Sequence, residues 1–334
     1  MFPLFSRYPT TRSLLSWVFA LGAATMLSAC DTADSPLSPA AADEPAVSGM
    51  EPTSAPDYAV TATSPLIAFS SYRNGNNDIY TMDPTGYHVT RLTTNSRWEA
   101  SPAWSWDNTR IAFVRPRKDA ANVTHYDIYL MNPDGSHGHW ALPTPSPYNL
   151  SSPSWAPDGS HILVAISEQG ASYLGWINLG KGVLGNLTSG GNLVAGTEPS
   201  YNPTGQRITY VGSSGESLDL MNADGTGHMT LLSASGSTVE GPVFSPNGSR
   251  IVFSNSIGGD QELFMMSLAD GTTKRLTYST GTDFWPTWSP DGSKIVFTST
   301  RNGHLQTWSM NASGGSATRL SHNSYDERTP AYSH

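Results

Sequence analysis

The chain has 334 residues, 37% of them hydrophobic, 10% aromatic and 13% charged, with a net charge of −9. That balance excludes a disordered polyelectrolyte and an all-apolar membrane protein. The excess of acid, with no basic run to neutralise a row of phosphates, excludes nucleic acid as a partner. Thirty-one glycines and 24 prolines favour many short strands over long helices.

Residues 1–29 read as a signal peptide: Arg7 and Arg12 supply positive charge, Leu14 to Leu27 is mostly apolar, and small residues follow. The run Leu27-Ser28-Ala29-Cys30 resembles the bacterial lipobox, which implies cleavage before Cys30 and lipidation of its thiol. Cys30 is the single cysteine of the chain, so lipidation also accounts for a thiol with no disulfide partner in an exported protein. An ordinary signal peptide with a chance cysteine is the alternative. Residues 31–64 carry six acids and no base among Pro, Ala and Ser. They show no hydrophobic period and are expected to form a solvated tether, averaging about 30 Å end to end as a random coil.

From residue 65 to 334 the sequence repeats. Prolines at 102, 153, 199, 242, 286 and 330 each lead a related segment, seen in full at Pro286-Thr287-Trp288-Ser289-Pro290-Asp291-Gly292 and again around Pro153 and Pro242. Each unit of about 45 residues reads as four strands. An aromatic-bearing strand is followed by a Pro-Asp-Gly turn and an alternating Ile-x-Phe strand. A third strand, seen in Asp78-Ile79-Tyr80-Thr81-Met82 and Tyr126 to Met131, closes in a tight turn such as the Asn-x-Asp-Gly at Asn132 to Gly135 and Asn222 to Gly225, and a short fourth carries Arg91-Leu92-Thr93 or Arg275-Leu276-Thr277. Six such units predict an all-β, six-bladed β-propeller of four-stranded antiparallel blades. Leu66 to Phe69 matches a second strand and Thr329 to Ser333 a first strand. The C-terminal strand is therefore expected to pair with the N-terminal blade and close the ring.

These units, with a Trp-Ser-Pro-Asp-Gly core and a Tyr-x-Met-Asn-x-Asp-Gly third strand, resemble the propeller repeats of the TolB family across residues 65–334. The resemblance implies binding to envelope proteins such as the peptidoglycan-associated lipoprotein. In TolB the propeller follows a separate α/β domain, which residues 31–64 are too short and too polar to supply.

Catalytic signals are sparse. No Gly-x-Ser-x-Gly occurs, so the nucleophile elbow of propeller-bearing serine peptidases is missing. His137-Gly138-His139 has a spacing that places two imidazoles on one metal, but it follows an Asn-Pro-Asp-Gly turn with no further ligand cluster, and a solvated turn is expected. Acids recur one to four residues before the leading prolines: Glu99, Glu198, Glu240, Asp283 and the pair Asp326 and Glu327. First strands line a propeller's channel, so these acids would gather at one mouth and hold Ca²⁺ or a basic segment. Alternatively each caps its own loop or pairs with an arginine such as Arg73 or Arg301. Trp104, Trp155 and Trp288 are expected in the core, whereas Trp98 and Trp285 lie beside the acids and are candidates for contact. The expected protein is a monomeric, lipid-anchored scaffold of the bacterial envelope, periplasmic or surface-exposed. It binds a protein or peptide without catalysis and needs no cofactor other than Ca²⁺ at the mouth. The alternative is a Ca²⁺-dependent lyase or hydrolase acting on a sugar acid or lactone there.

Overall fold

A computed structural model describes residues 64–233, 235–256 and 259–334. The signal peptide, Cys30 and nearly all of the tether lie outside these residues. The described chain forms six four-stranded antiparallel sheets arranged as propeller blades, plus a two-stranded hairpin of Thr188–Ser189 with Asn192–Leu193 between blades 3 and 4. Blade 1 runs, from its first strand to its fourth, Glu327–Tyr332, Ile67–Ser71, Asp78–Met82 and Thr90–Arg91. Blade 2 is Ala100–Trp104, Ile111–Lys118, Thr124–Met131 and His139–Trp140, and blade 3 is Asn149–Trp155, His161–Glu168, Ala171–Asn178 and Val183–Asn186. Blade 4 is Gly196–Tyr201, Arg207–Gly212, Ser217–Asn222 and Met229–Ser233, and blade 5 is Val239–Phe244, Arg250–Asn255, Glu262–Ser267 and Thr273–Arg275. Blade 6 is Asp283–Trp288, Lys294–Ser299, Gln306–Asn311 and Thr318–Arg319.

The ring closes as the sequence predicts. The C-terminal strand pairs with the first N-terminal one, Ile67 opposite Tyr332 and Ser71 opposite Glu327. Beyond it, Ser333 donates its N–H to the Leu66 carbonyl at 2.8 Å, Leu66 donates to Ser333 Oγ at 2.8 Å, and the His334 imidazole stacks on Trp106 at 3.9 Å.

Each blade buries its apolar residues against its neighbours. Among the described residues the core forms six clusters, one in each seam, as where Ile67 and Phe69 of blade 1 meet Val296 and Leu320 of blade 6. The repeat tryptophans sit at these seams. Trp155 donates its indole N–H to the Ala103 carbonyl of the preceding blade at 3.1 Å, and Trp288 donates to Val243 at 3.4 Å. These two indoles satisfy their one donor while filling the seam, whereas the Trp104 indole fills its seam by packing alone. Turn glycines lock the same seams. A Cβ at Gly135, whose φ is +83°, would lie 2.6 Å from the Leu92 carbonyl oxygen of blade 1, so that turn tolerates only glycine at this approach.

Every first strand carries a bulge. The residue before the leading proline has a left-handed backbone in all six blades: Ser101, Ser152, Glu198, Gly241, Trp285 and Thr329, with φ between 49° and 58°. The pairing register shifts at the same point in each blade. The proline that follows has no N–H to leave unpaired, which suits a bulge.

Candidate interaction face and inner-strand carboxylates

Strands alternate in direction, so the loops joining second to third strands and those joining one blade to the next emerge at one end of the ring. The sequence-predicted acids start the first strands at this end. The structure separates them into two groups.

Glu99, Asp283 and Glu327 each lie three residues before their proline and are fully buried or nearly so. Each faces an arginine from its own blade. Arg73 donates from Nη2 to Glu327 Oε1 at 2.6 Å, Arg301 from Nη2 to Asp283 Oδ2 at 2.8 Å, and Arg115 from Nε to Glu99 Oε1 at 2.6 Å. Every one of these guanidiniums also lies over two aromatic rings of the blade. Arg73 covers Phe69 and Tyr80, Arg115 covers Phe113 and Tyr129 at 5.1 and 3.7 Å, and Arg301 covers Phe297 and Trp308 at 5.4 and 4.6 Å. A carboxylate and two π faces thus hold one cation, and the set stiffens blades 6, 1 and 2. Glu327 goes further, accepting from Thr307 at 2.9 Å, Ser321 at 2.5 Å and Asn323 at 3.0 Å of blade 6 and the loop after it. These acids are therefore buried in the wall and engaged. Among the described residues no three His, Cys, Asp or Glu side chains gather as a metal site.

Glu198 and Glu240 stand closer to their prolines, one and two residues before them, in blades 4 and 5. Leu150, Gly196 and Val239 occupy the position of the engaged acids in blades 3, 4 and 5, so no equivalent arginine pair forms. Glu198 is half-buried on the bulge and accepts the Gly241 N–H across the seam at 2.5 Å. Burial first, and then the nearby Glu240 charge, push its carboxyl up to about 8. Glu240 is buried. Trp285 is half-buried with its ring edge-on to Phe284 at 4.6 Å, and a Cβ at Gly241 would touch its backbone at 3.1 Å.

Over this wall the exposed end is aromatic. Tyr72 is 60% exposed, Tyr278 75%, Tyr325 50% and Trp98 36%, and all four sit on loops at the same end. The loops of Tyr325, Tyr72 and Trp98 are joined to one another, while the Arg275 guanidinium lies over the Tyr278 ring at 4.5 Å. Ser71 beside Tyr72 donates to the Asp326 carbonyl at 2.8 Å, Asn76 donates to the Asn95 and Arg97 carbonyls, and Trp98 meets Tyr126 edge-on at 5.7 Å. Sequence reasoning found Trp98 but missed the three tyrosines. The signal was present, since each stands just outside the alternating strand pattern, where no core position accounts for it.

Comparison with known proteins agrees with this geometry. Residues 198–334 match the model of the TolB beta propeller domain. The Tol-Pal system protein TolB of Francisella tularensis subsp. mediasiatica is 26% identical over 227 residues, covering 54% of this chain and 52% of that protein. The TolB of Desulfosudis oleivorans is 31% identical over 104 residues, 31% of this chain and 22% of that protein. The chain spans about half the length of the first of these, or less. The crystal structure of TolB from Acinetobacter baumannii superposes with a TM-score of 0.67 at 19% identity, covering 80% of this chain and 66% of that one. An oligogalacturonate lyase in complex with manganese shares the fold at a TM-score of 0.52 and 14% identity, covering 77% and 73%. The described body of this chain is a TolB-like six-bladed β-propeller.

Proposed function

We propose that this protein is a non-catalytic binding scaffold of the bacterial cell envelope, held to a membrane through a lipid on Cys30. Its propeller receives an envelope protein on the arc of Tyr72, Trp98, Tyr278 and Tyr325. The observation that carries the reading is the placement of these exposed rings at one end of the ring, above arginine–carboxylate pairs that hold their blades rigid. Large rings presented on a stiff support supply contact area at low entropic cost, which is how interface hot spots are built. The TolB relatives, named for the Tol-Pal system, support a partner of the protein class.

Crosslinking in intact cells identifies the partner. Tyr72→Ser combined with Tyr325→Ser is then expected to lower its capture at least tenfold with an unchanged melting temperature. Capture equal to that of the parent protein would remove the arc from the interface. Cys30→Ser is expected to move the protein from the membrane to the soluble fraction, since the acyl chains supply the anchoring energy.

A further inference from the structure

At the opposite end of the ring, His137-Gly138-His139 lies on the turn between the third and fourth strands of blade 2. It does not stand alone in solvent. Together with Arg110, Met131 and Asn132 it lines an open cavity of about 510 Å³, in the size range of small-ligand sites. Strand register brings these groups together. Ile111 pairs with Met131, so Arg110 stands opposite Asn132, while His139 pairs with Leu130.

The turn fixes its two imidazoles, with Ser136 Oγ 2.9 Å from His137 Nδ1, and leaves Arg110 to meet a ligand. Arg110 is exposed, and its guanidinium has no hydrogen-bond or ion-pair partner among the described residues. The Asn132 amide donates to Ser136 Oγ at 3.0 Å and lies 2.9 Å from His137 Nδ1. With Nδ1 accepting from that amide, His137 carries its proton on Nε2. His139 donates from Nδ1 to the His137 carbonyl at 3.0 Å, which leaves its Nε2 as an acceptor. The acids of the two turns at this end of blade 2 are committed to those turns. Asp107 accepts from Ser105 at 2.6 Å and from the Thr109 N–H, Asp134 accepts the Ser136 N–H at 2.9 Å, and neither lines the cavity.

We infer that this cavity binds a phosphate group, with Arg110 and the His137 Nε2–H as donors to its oxygens and His139 Nε2 as acceptor from a protonated phosphate oxygen. A guanidinium supplies the planar fork that phosphate recognition uses. The repeat offers an internal control. Arg207, Arg250 and Lys294 occupy the position of Arg110 in blades 4, 5 and 6, but none has a His-x-His turn beside it. The phosphate has two sources, a soluble phosphate compound or a lipid headgroup. Topology favours the second, because the chain enters blade 1 at this same end of the ring.

The test titrates the full chain with inorganic phosphate at low ionic strength, following the His137 and His139 imidazole resonances by NMR. Saturable shifts are expected in the parent protein, weakened at least tenfold in Arg110→Gln and several-fold in His137→Ala, with melting temperatures unchanged. Arg250→Gln is expected to bind within about twofold of the parent. A parent protein showing no saturation, or equal losses in Arg110→Gln and Arg250→Gln, would overturn the site, the latter because it marks charge without structure. Vesicles of phosphatidylglycerol in phosphatidylcholine separate the sources. Arg110-dependent vesicle binding assigns a headgroup, and phosphate binding without it assigns a soluble ligand.

Discussion

Glu198→Gln is the sharpest test of the inner-strand chemistry, because it removes a charge and keeps the shape. The variant retains a carbonyl oxygen to accept the Gly241 N–H, so the seam between blades 4 and 5 should persist. In the parent protein the Glu198 carboxyl is raised from 4.5 to about 8, chiefly by burial and further by Glu240. A carboxyl raised on folding holds a proton that the unfolded chain releases. Stability is therefore lost as pH rises from about 4.5 to about 8 and levels off above that. A shift of about 3.5 units corresponds to ~5 kcal/mol at full effect. The side chain is only half-buried, and solvent screening reduces this to about 1–2 kcal/mol. Urea unfolding of both proteins at pH 5 and pH 8.5 reads the difference. The variant should match the parent at pH 5 and exceed it by about 1–2 kcal/mol at pH 8.5. Parallel pH dependences would show that Glu198 ionises in the fold as freely as in the unfolded chain.

The arginine pairs make a contrasting prediction. Arg301→Met leaves Asp283 as a buried carboxylate without its cation and should destabilise the protein by about 3 kcal/mol, and adding Asp283→Asn should recover much of that loss. A double variant no more stable than the single one would refute the pairing as the cause. Deleting residues 329–334 removes most of the inner strand of blade 1, with Tyr332 and the bonds of Ser333 to Leu66, and should lower Tm by roughly 10 °C or more. A truncated protein that melts with the parent would show that closure does not support the ring.

The repeat made the fold readable because each blade repeats the same local chemistry. Proline opens the strand, tryptophan fills the seam and Asp-Gly makes the turn, so six approximate copies pointed to one architecture. The hairpin at Thr188 to Leu193 escaped notice because it interrupts the repeat where no copy can be aligned. The carboxylates were found by nearness to proline, which merged two environments. Glu99, Asp283 and Glu327 share one register, whereas Glu198 falls on the bulge residue, and a shift of one or two positions along a strand exchanges its faces. Arg73 and Arg301 were named in the sequence as possible partners of these acids and pair with Glu327 and Asp283, whereas Arg115 was not. Arg115 lies within the second strand, whereas Arg73 and Arg301 lie beyond its end, and only the three-dimensional register brings all three to equivalent carboxylates. The placement of Arg110 and His137 on one cavity was hidden for the same reason, since residues 27 apart in sequence come together only across a strand pair.

The way the chain enters the ring has a mechanical consequence. Tension applied ahead of Ser64 is delivered to Ile67–Ser71, a strand hydrogen-bonded on one side to Asp78–Met82 and on the other to Glu327–Tyr332. A load along that strand must shear both ladders at once rather than peel one bond after another. The entry strand is thereby held along both edges, and a pull on the chain ahead of it loads the whole of blade 1 before that strand yields.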